Sequence, residues 1–266
     1  MSSLLYPSSC IRSDGVLTIK QYGDKYKVVW NKSIRKKGFE DIIEPELEMN
    51  WFDGKMAKPV QEFIKKDIAK QKLDNNISRA RSKVHEYAYC NNWDYFVTLT
   101  ISPEKYDRYN LPAYIKDLGK WLSNYYTHHG SKISYLFVPE MHKDGAWHIH
   151  GLISGILPKH LTQNQHGYLD FPMYSKKFGF CNLSTIKSHA AVSGYITKYF
   201  TKNIGAAPYG QRSYYCSKGL KKAELIYRFE NIDPNCLEWD FVHDEGYCMV
   251  SMVDNLDFME NICITN

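Results

Sequence analysis

From Trp147 to Ile153 the chain reads Trp-His-Ile-His-Gly-Leu-Ile, apolar and polar positions alternating at its start. A period of two marks a strand with two different faces. Alternation or a short apolar run also predicts strands at Trp93–Ser102, ended by Pro103, at Ile133–Glu140 and at Phe178–Ile186. Val16–Lys20 and Tyr26–Trp30 flank a turn at Gly23-Asp24 and predict a hairpin. Leu225–Phe229 and Cys248–Val253 are two later candidate strands. Helical spacing governs the stretch from Pro59 to about Cys90, where Val60, Ile64, Ile68, Ile77, Ala80, Val84 and Tyr87 fall on one stripe. A second helix is predicted over Leu111–His129, with Pro112 in its first turn, and a third begins at Ser188. Between Ser154 and Lys177, two prolines and two glycines predict a loop. Adjacent strands separated from the rest by helices predict an α+β fold, an antiparallel sheet with helices on one face.

Charge changes this picture more than length does. The 266 residues carry a net +5, but Glu224–Asn266 holds ten acidic residues against one basic, Arg228. That tail is −9, which leaves +14 on residues 1–223. A strongly basic body suits a polyanion, and the 21 tyrosines interleaved with lysine and arginine suit base stacking beside phosphate pairing. No apolar run approaches the ~18 residues of a membrane span, and Met1–Pro7 lacks the features of a signal peptide. The seven cysteines show no Cys-x-x-Cys spacing, which predicts free thiols in a reducing cytoplasm. No Gly-x-x-x-x-Gly-Lys-Ser/Thr occurs, so an ATP-driven helicase module is not expected, nor any small-molecule cofactor.

The candidate chemistry lies in two places. On a strand, His148 and His150 point the same way, and two imidazoles on one face can hold a metal ion if a third ligand joins them. Glu140 is the first candidate, because the turn Met141–Gly145 would fold it back towards the histidines; His142 is an alternative within that turn. A His, His, Glu set without cysteine favours a harder cation than zinc. The second place is Gly194–Asn203, where Tyr195 and Tyr199 are four apart, as are Lys198 and Lys202. In a helix, residues four apart share a face, so both phenols project together with a lysine beside each.

The order of these elements, a strand with Thr98 and Thr100, the His148-x-His150 strand and the Tyr195-x-x-Lys198 helix, resembles the HUH endonucleases that initiate rolling-circle replication. The two-tyrosine form resembles the initiators of small single-stranded DNA bacteriophages of the microvirus type. Glu140, eight residues before His148, falls where single-tyrosine Rep proteins carry an acidic third ligand. The resemblance covers Trp93–Asn203 and implies a central sheet of about five strands flanked by helices. It divides the chain into an N-terminal hairpin and basic helix (1–92), a nicking core (93–204) and a C-terminal extension packed on it (205–266).

What the resemblance implies is a nickase and religase of single-stranded origin DNA, working in the cytoplasm of a bacterial host. His148, His150 and Glu140 would hold Mg²⁺ or Mn²⁺. Tyr195 would attack to give a 5′-phosphotyrosine, and Tyr199 would act in the second cut. Lys198 and Lys202 would assist, and Thr98, Thr100, Lys198, Lys202 and Arg212 would contact DNA. A host helicase and DNA polymerase would be the partners. Plasmid initiators, relaxases and transposases share this chemistry, and a non-catalytic single-stranded nucleic-acid-binding protein is the alternative of another class.

Overall fold

Most elements fall close to where the hydrophobic pattern puts them. The computed structural model describes residues 15–32, 76–164, 167–202, 212–230, 232, 243–244 and 248–258. The chain divides into two compact units, Met1–Lys65 with Ala223–Asn266, and Lys66–Lys222. The predicted hairpin opens the first: β1 (Gly15–Tyr22) and β2 (Lys25–Lys32) pair antiparallel. Their turn contains Gly23 at φ 62°, a left-handed conformation that glycine adopts without a Cβ clash.

The larger unit contains a helix over 76–90 (α1), which buries Val84 and Ala88 and leaves Arg79 and Arg81 exposed. The predicted helical residues 59–75 lie outside the described residues. There follow β3 (Tyr95–Ile101), α2 (Leu111–His129), β4 (Ser134–Met141) and β5 (Trp147–Ser154). Asn110 caps α2 by accepting from the Ala113 amide, and Gly130 ends it at φ 70°. The expected loop after β5 is more ordered than its composition suggests. It holds a 3-10 turn at Pro158–His160, the paired β6 (Thr162–Gln163) and β7 (Leu169–Asp170), and α3 (Pro172–Lys177). Such short pieces are below the length at which periodicity registers. The unit continues with β8 (Gly179–Thr185), α4 (His189–Ile196), α5 (Tyr199–Lys202) and β9 (Tyr215–Cys216).

These strands form an antiparallel seven-stranded sheet, in the order β6-β7-β8-β3-β5-β4-β9. Four long strands make its middle, and two-residue strands extend the edges beyond the expected five. Helices cover both faces, where one was expected. On the first face Tyr114, Leu118 and Leu122 of α2 and Tyr174 of α3 pack with Val97, Leu99, Ile149 and Ile153. On the second, Val84 and Ala88 of α1 pack with Ile196 and Phe200 over Leu136, Val138 and Leu152. Leu136-Phe137-Val138 and Leu152-Ile153 are consecutive apolar residues, so the sheet is apolar on both sides there and needs two covers. Gly151 sets the spacing of β4 and β5: a Cβ there would lie 2.3 Å from Phe137 Cδ1 and 2.6 Å from the Leu136 carbonyl oxygen.

The late strands return to the hairpin. β10 (Glu224–Glu230) pairs with β1, and β12 (Cys248–Val253) pairs with β2 and with β11 (His243–Asp244). The result is a five-stranded sheet, β10-β1-β2-β12-β11, whose core is Leu17, Ile19, Val28, Trp30 and Ile232. The Trp30 indole N–H donates to the Ile232 carbonyl at 2.8 Å. The expected partition into 1–92, 93–204 and 205–266 follows chain order; these units do not, because the hairpin's pairing partners lie some two hundred residues downstream. Lys66–Lys222 contains 22 Lys and Arg against 10 Asp and Glu, a net +12, so the basic excess resides in the larger unit. Among the described residues, the four cysteines are free and no helix is long and apolar enough to cross a membrane.

Candidate functional site

The β4–β5 hairpin sets the first half of the site. Its turn is closed by the His142 amide donating to the Ala146 carbonyl at 2.8 Å, and Gly145 sits at φ 83°. The Asp144 carboxylate accepts from the Ala146 amide and pairs with Arg108, and the amide bond is the first cause that holds its pKa below the usual carboxylate range. This closure fixes a register in which Glu140 stands opposite His148 and Val138 opposite His150. Ile149, fully buried, faces α2, which leaves both histidines on the other face.

On the opposite side of β5, β3 supplies one threonine to each histidine. Thr98 is paired with His150 and Thr100 with His148. Thr98 Oγ1 is 3.2 Å from His150 Nδ1, and Thr100 Oγ1 is 3.3 Å from His148 Nδ1. Each imidazole is thereby oriented through Nδ1, and His150 Nε2 meets Glu140 Oε2 at 2.7 Å. The His148 ring stacks on His142, centroids 3.8 Å apart. Burial lowers the His148 pKa, and the neighbouring His142 and His150 lower it further, against an opposing effect of Glu140.

The tyrosines reach this face from the other direction. Ser188 caps α4, its hydroxyl accepting from the Ala191 amide. The expected continuous helix is interrupted at Thr197-Lys198 and resumes as α5. The cause is local: the Ser193 and Thr197 hydroxyls each donate to a carbonyl three residues back, Ala190 and Gly194, both at 2.7 Å. Such back-bonding competes with the helical ladder. Ile196 and Phe200 anchor the segment in the second-face core, and this anchoring lays the Tyr199 ring on His150 at 3.8 Å between centroids, 17° from parallel. Tyr199 then donates its hydroxyl hydrogen to the Tyr195 hydroxyl at 2.9 Å. Phe96 fills the angle between the rings, 5.3 Å from Tyr195 and 6.1 Å from Tyr199. Tyr195 is 45% exposed and Tyr199 only 9%. Burial, then the bond to Tyr195 and its charge, then Glu140, push the Tyr199 pKa well above the usual phenol value.

His148, His150, Glu140, Tyr195 and Tyr199 therefore share one face of one sheet. Lys198 belongs there too, its Nζ 5.5 Å from the Tyr195 ring centroid. The side chain of Lys202 lies outside the described ones, and Arg212 is exposed just before β9, without a described contact to the histidines. Sequence reasoning assigned Thr98 and Thr100 to DNA; in the fold their hydroxyls are spent on the imidazoles. Phe96 was missed, although its alternation with Thr98 and Thr100 already put it on their face.

One comparison bears on this arrangement. Residues 94–204 match the model of the replication-associated protein ORF2 family. The matched segment runs from β3 to α5 and includes every residue of the face just described. Less than half of the chain is matched, and this family match supports a replication-initiator role. No curated protein and no solved structure matches the chain. The α+β sheet flanked by helices is compatible with an HUH-like fold.

Whether a metal suits the site is a question of donors and of convergence. Among the described residues, no group of three or more His, Cys, Asp or Glu side chains converges to hold an ion. The donor set nevertheless fits a divalent cation: two imidazoles held through Nδ1, with a carboxylate in the cross-strand row. Glu140 already approaches His150 Nε2, whereas His148 is stacked on His142.

Proposed function

We propose that the chain is a rolling-circle replication initiator that nicks and rejoins single-stranded DNA through a 5′-phosphotyrosine. The observation that carries this reading is the convergence of two phenols on the histidine face: Tyr199 stacked on His150 at 3.8 Å, and its hydroxyl 2.9 Å from that of Tyr195. A packing role alone explains Ile196, Tyr199 and Phe200, which are buried. It does not explain Tyr195, which is 45% exposed and presents its hydroxyl at the same point.

Tyr195 is the first nucleophile. Its exposure lets a DNA backbone reach the oxygen, and the hydrogen bond from Tyr199 steadies negative charge that develops there during attack. The Tyr195 oxygen forms a bond to phosphorus as the bond to the 3′ oxygen breaks. The phenolic proton passes to solvent, and the leaving oxygen takes up a proton to become a 3′-hydroxyl. The energy of the phosphodiester is kept in the phosphotyrosine, so a 3′-hydroxyl can reverse the reaction without ATP. Tyr199, harder to ionise while buried, acts in the second cut, after the first linkage has drawn Tyr195 away from it. Lys198, beside the Tyr195 ring, supplies a positive charge for phosphate.

His148, His150 and Glu140 would hold Mg²⁺ or Mn²⁺, which when bound supplies Lewis-acid polarisation of a phosphoryl oxygen. Thr98 and Thr100 keep the imidazoles aimed. Net charge on the larger unit supports binding through phosphates, and extension and unwinding fall to a host polymerase and helicase. The test is cleavage of single-stranded DNA with and without chelator, beside His148→Ala and His150→Ala. Cleavage should fall sharply in all three cases while DNA binding survives. Undiminished cleavage in excess chelator overturns the metal-dependent reading.

A further inference from the structure

The histidine face continues past β3 onto β8, where the helices no longer cover it. Ser184, Asn182 and Phe180 are paired with Phe96, Thr98 and Thr100. They therefore lie on the same face as the histidines, while Cys181 and Leu183 are buried on the other. Phe180, Thr100, His148 and Glu140 form one cross-strand row. Phe180 is two strands from His148, on the order of 10 Å by the usual strand spacing.

A single exposed phenylalanine is ordinary on a protein surface. Three observations set this one apart. Phe180 is 51% exposed although its row ends in the candidate site, and its ring has no aromatic partner among the described residues. Its backbone is held in the middle of the sheet: Gly179 sits so close to β3 that an added Cβ would lie 2.2 Å from the Thr100 carbonyl oxygen. Beside it, the Asn182 amide oxygen is buried with no hydrogen-bond partner, so the side chain loses no bond there by turning outward. The unit that carries the strip has a net charge of +12.

Resting on the reading of the site as a single-stranded DNA nickase, we infer that Phe180 is a stacking platform for one unpaired base next to the scissile phosphate. Asn182 offers its amide to the edge of that base. A rigid aromatic ring at the border of a basic site suits a π-face, and only an unpaired, unstacked base can lie on it. Duplex DNA has its bases stacked on each other and offers none.

The test is fluorescence titration of the full-length protein with short mixed-sequence oligonucleotides carrying 2-aminopurine at successive positions. Phe180→Ala should weaken single-stranded binding roughly five- to 150-fold, the range for loss of one base–aromatic stack, and abolish quenching at one position. Phe180→Tyr should keep both. Binding to a duplex of the same sequence should be unchanged in both variants, as should the thermal unfolding midpoint, because the ring faces solvent. Phe180→Ala binding single strands as tightly as wild type overturns the platform, and so does an equal loss on duplex. A wild type that does not bind single-stranded DNA overturns the proposed function itself.

Discussion

Replacing Thr98 by valine isolates the contribution of one hydroxyl to the site. Valine keeps the shape and the strand preference of threonine, so packing is conserved and only the contact to His150 Nδ1, 3.2 Å long, is removed. The His150 side chain is 12% exposed, so water replaces that partner poorly. Leaving a largely buried polar atom unsatisfied costs about 1–3 kcal/mol, and partial access to solvent places this one near the lower end. Urea unfolding followed by tryptophan fluorescence should show a loss of about 1–2 kcal/mol. The imidazole also loses the bond that orients it, so metal affinity or cleavage should fall about 10–100-fold, the usual effect of removing a partner behind a metal-ligating histidine. In a His150→Ala background the same substitution should cost much less, because the bond is already gone. An unchanged stability and cleavage rate in Thr98→Val, or an equal cost in both backgrounds, would refute the reasoning.

Ending the chain at Ala223 deletes β10 and β12, which flank the β1–β2 hairpin on both sides. Leu17, Ile19, Val28 and Trp30 then lose their cover, and an isolated hairpin is marginal at best, so Gly15–Lys32 should become sensitive to limited proteolysis; a protected hairpin in that truncation would contradict the pairing. His148 should titrate below the ordinary histidine value of 6.5 in an NMR pH series, and His142→Gln should move it upwards by removing the second of its causes. The sign for stability follows: as pH falls below about 6.5 the unfolded chain takes up this proton before the folded one, so the contribution of His148 to stability is complete above that value and declines below it.

The hydrophobic pattern locates nearly all long elements because each carries one strong period. Leu111–His129 coincides with α2, and Trp147–Ile153 is β5 to within a residue. The expected juxtaposition of Glu140 with the histidine face was legible because a short turn between two strands leaves few registers. What escaped depends on contacts distant in sequence. That Thr98 and Thr100 orient imidazoles follows from β3 lying beside β5, a strand order no local pattern encodes. The union of the hairpin with β10 and β12 is likewise long-range. The interruption of the tyrosine helix is local, but it comes from two hydroxyls competing for carbonyls, which an apolar stripe conceals. Its consequence is chemical: one phenol is buried against His150 and the other exposed, although spacing alone makes them equivalent.

The central claim is that these two phenols attack DNA, and trapping the covalent adduct tests it most directly. Wild type and the Tyr195→Phe, Tyr199→Phe and double variants would be incubated with pooled single-stranded DNA and Mn²⁺, digested, and mapped by mass spectrometry. Phenylalanine keeps the rings that pack on Phe96 and His150, so folding should be preserved. The account predicts an adduct on Tyr195 in the wild type, residual single cleavage in each single variant, and none in the double variant. An adduct mapped outside Tyr195 and Tyr199, or a fully active double variant, would contradict it.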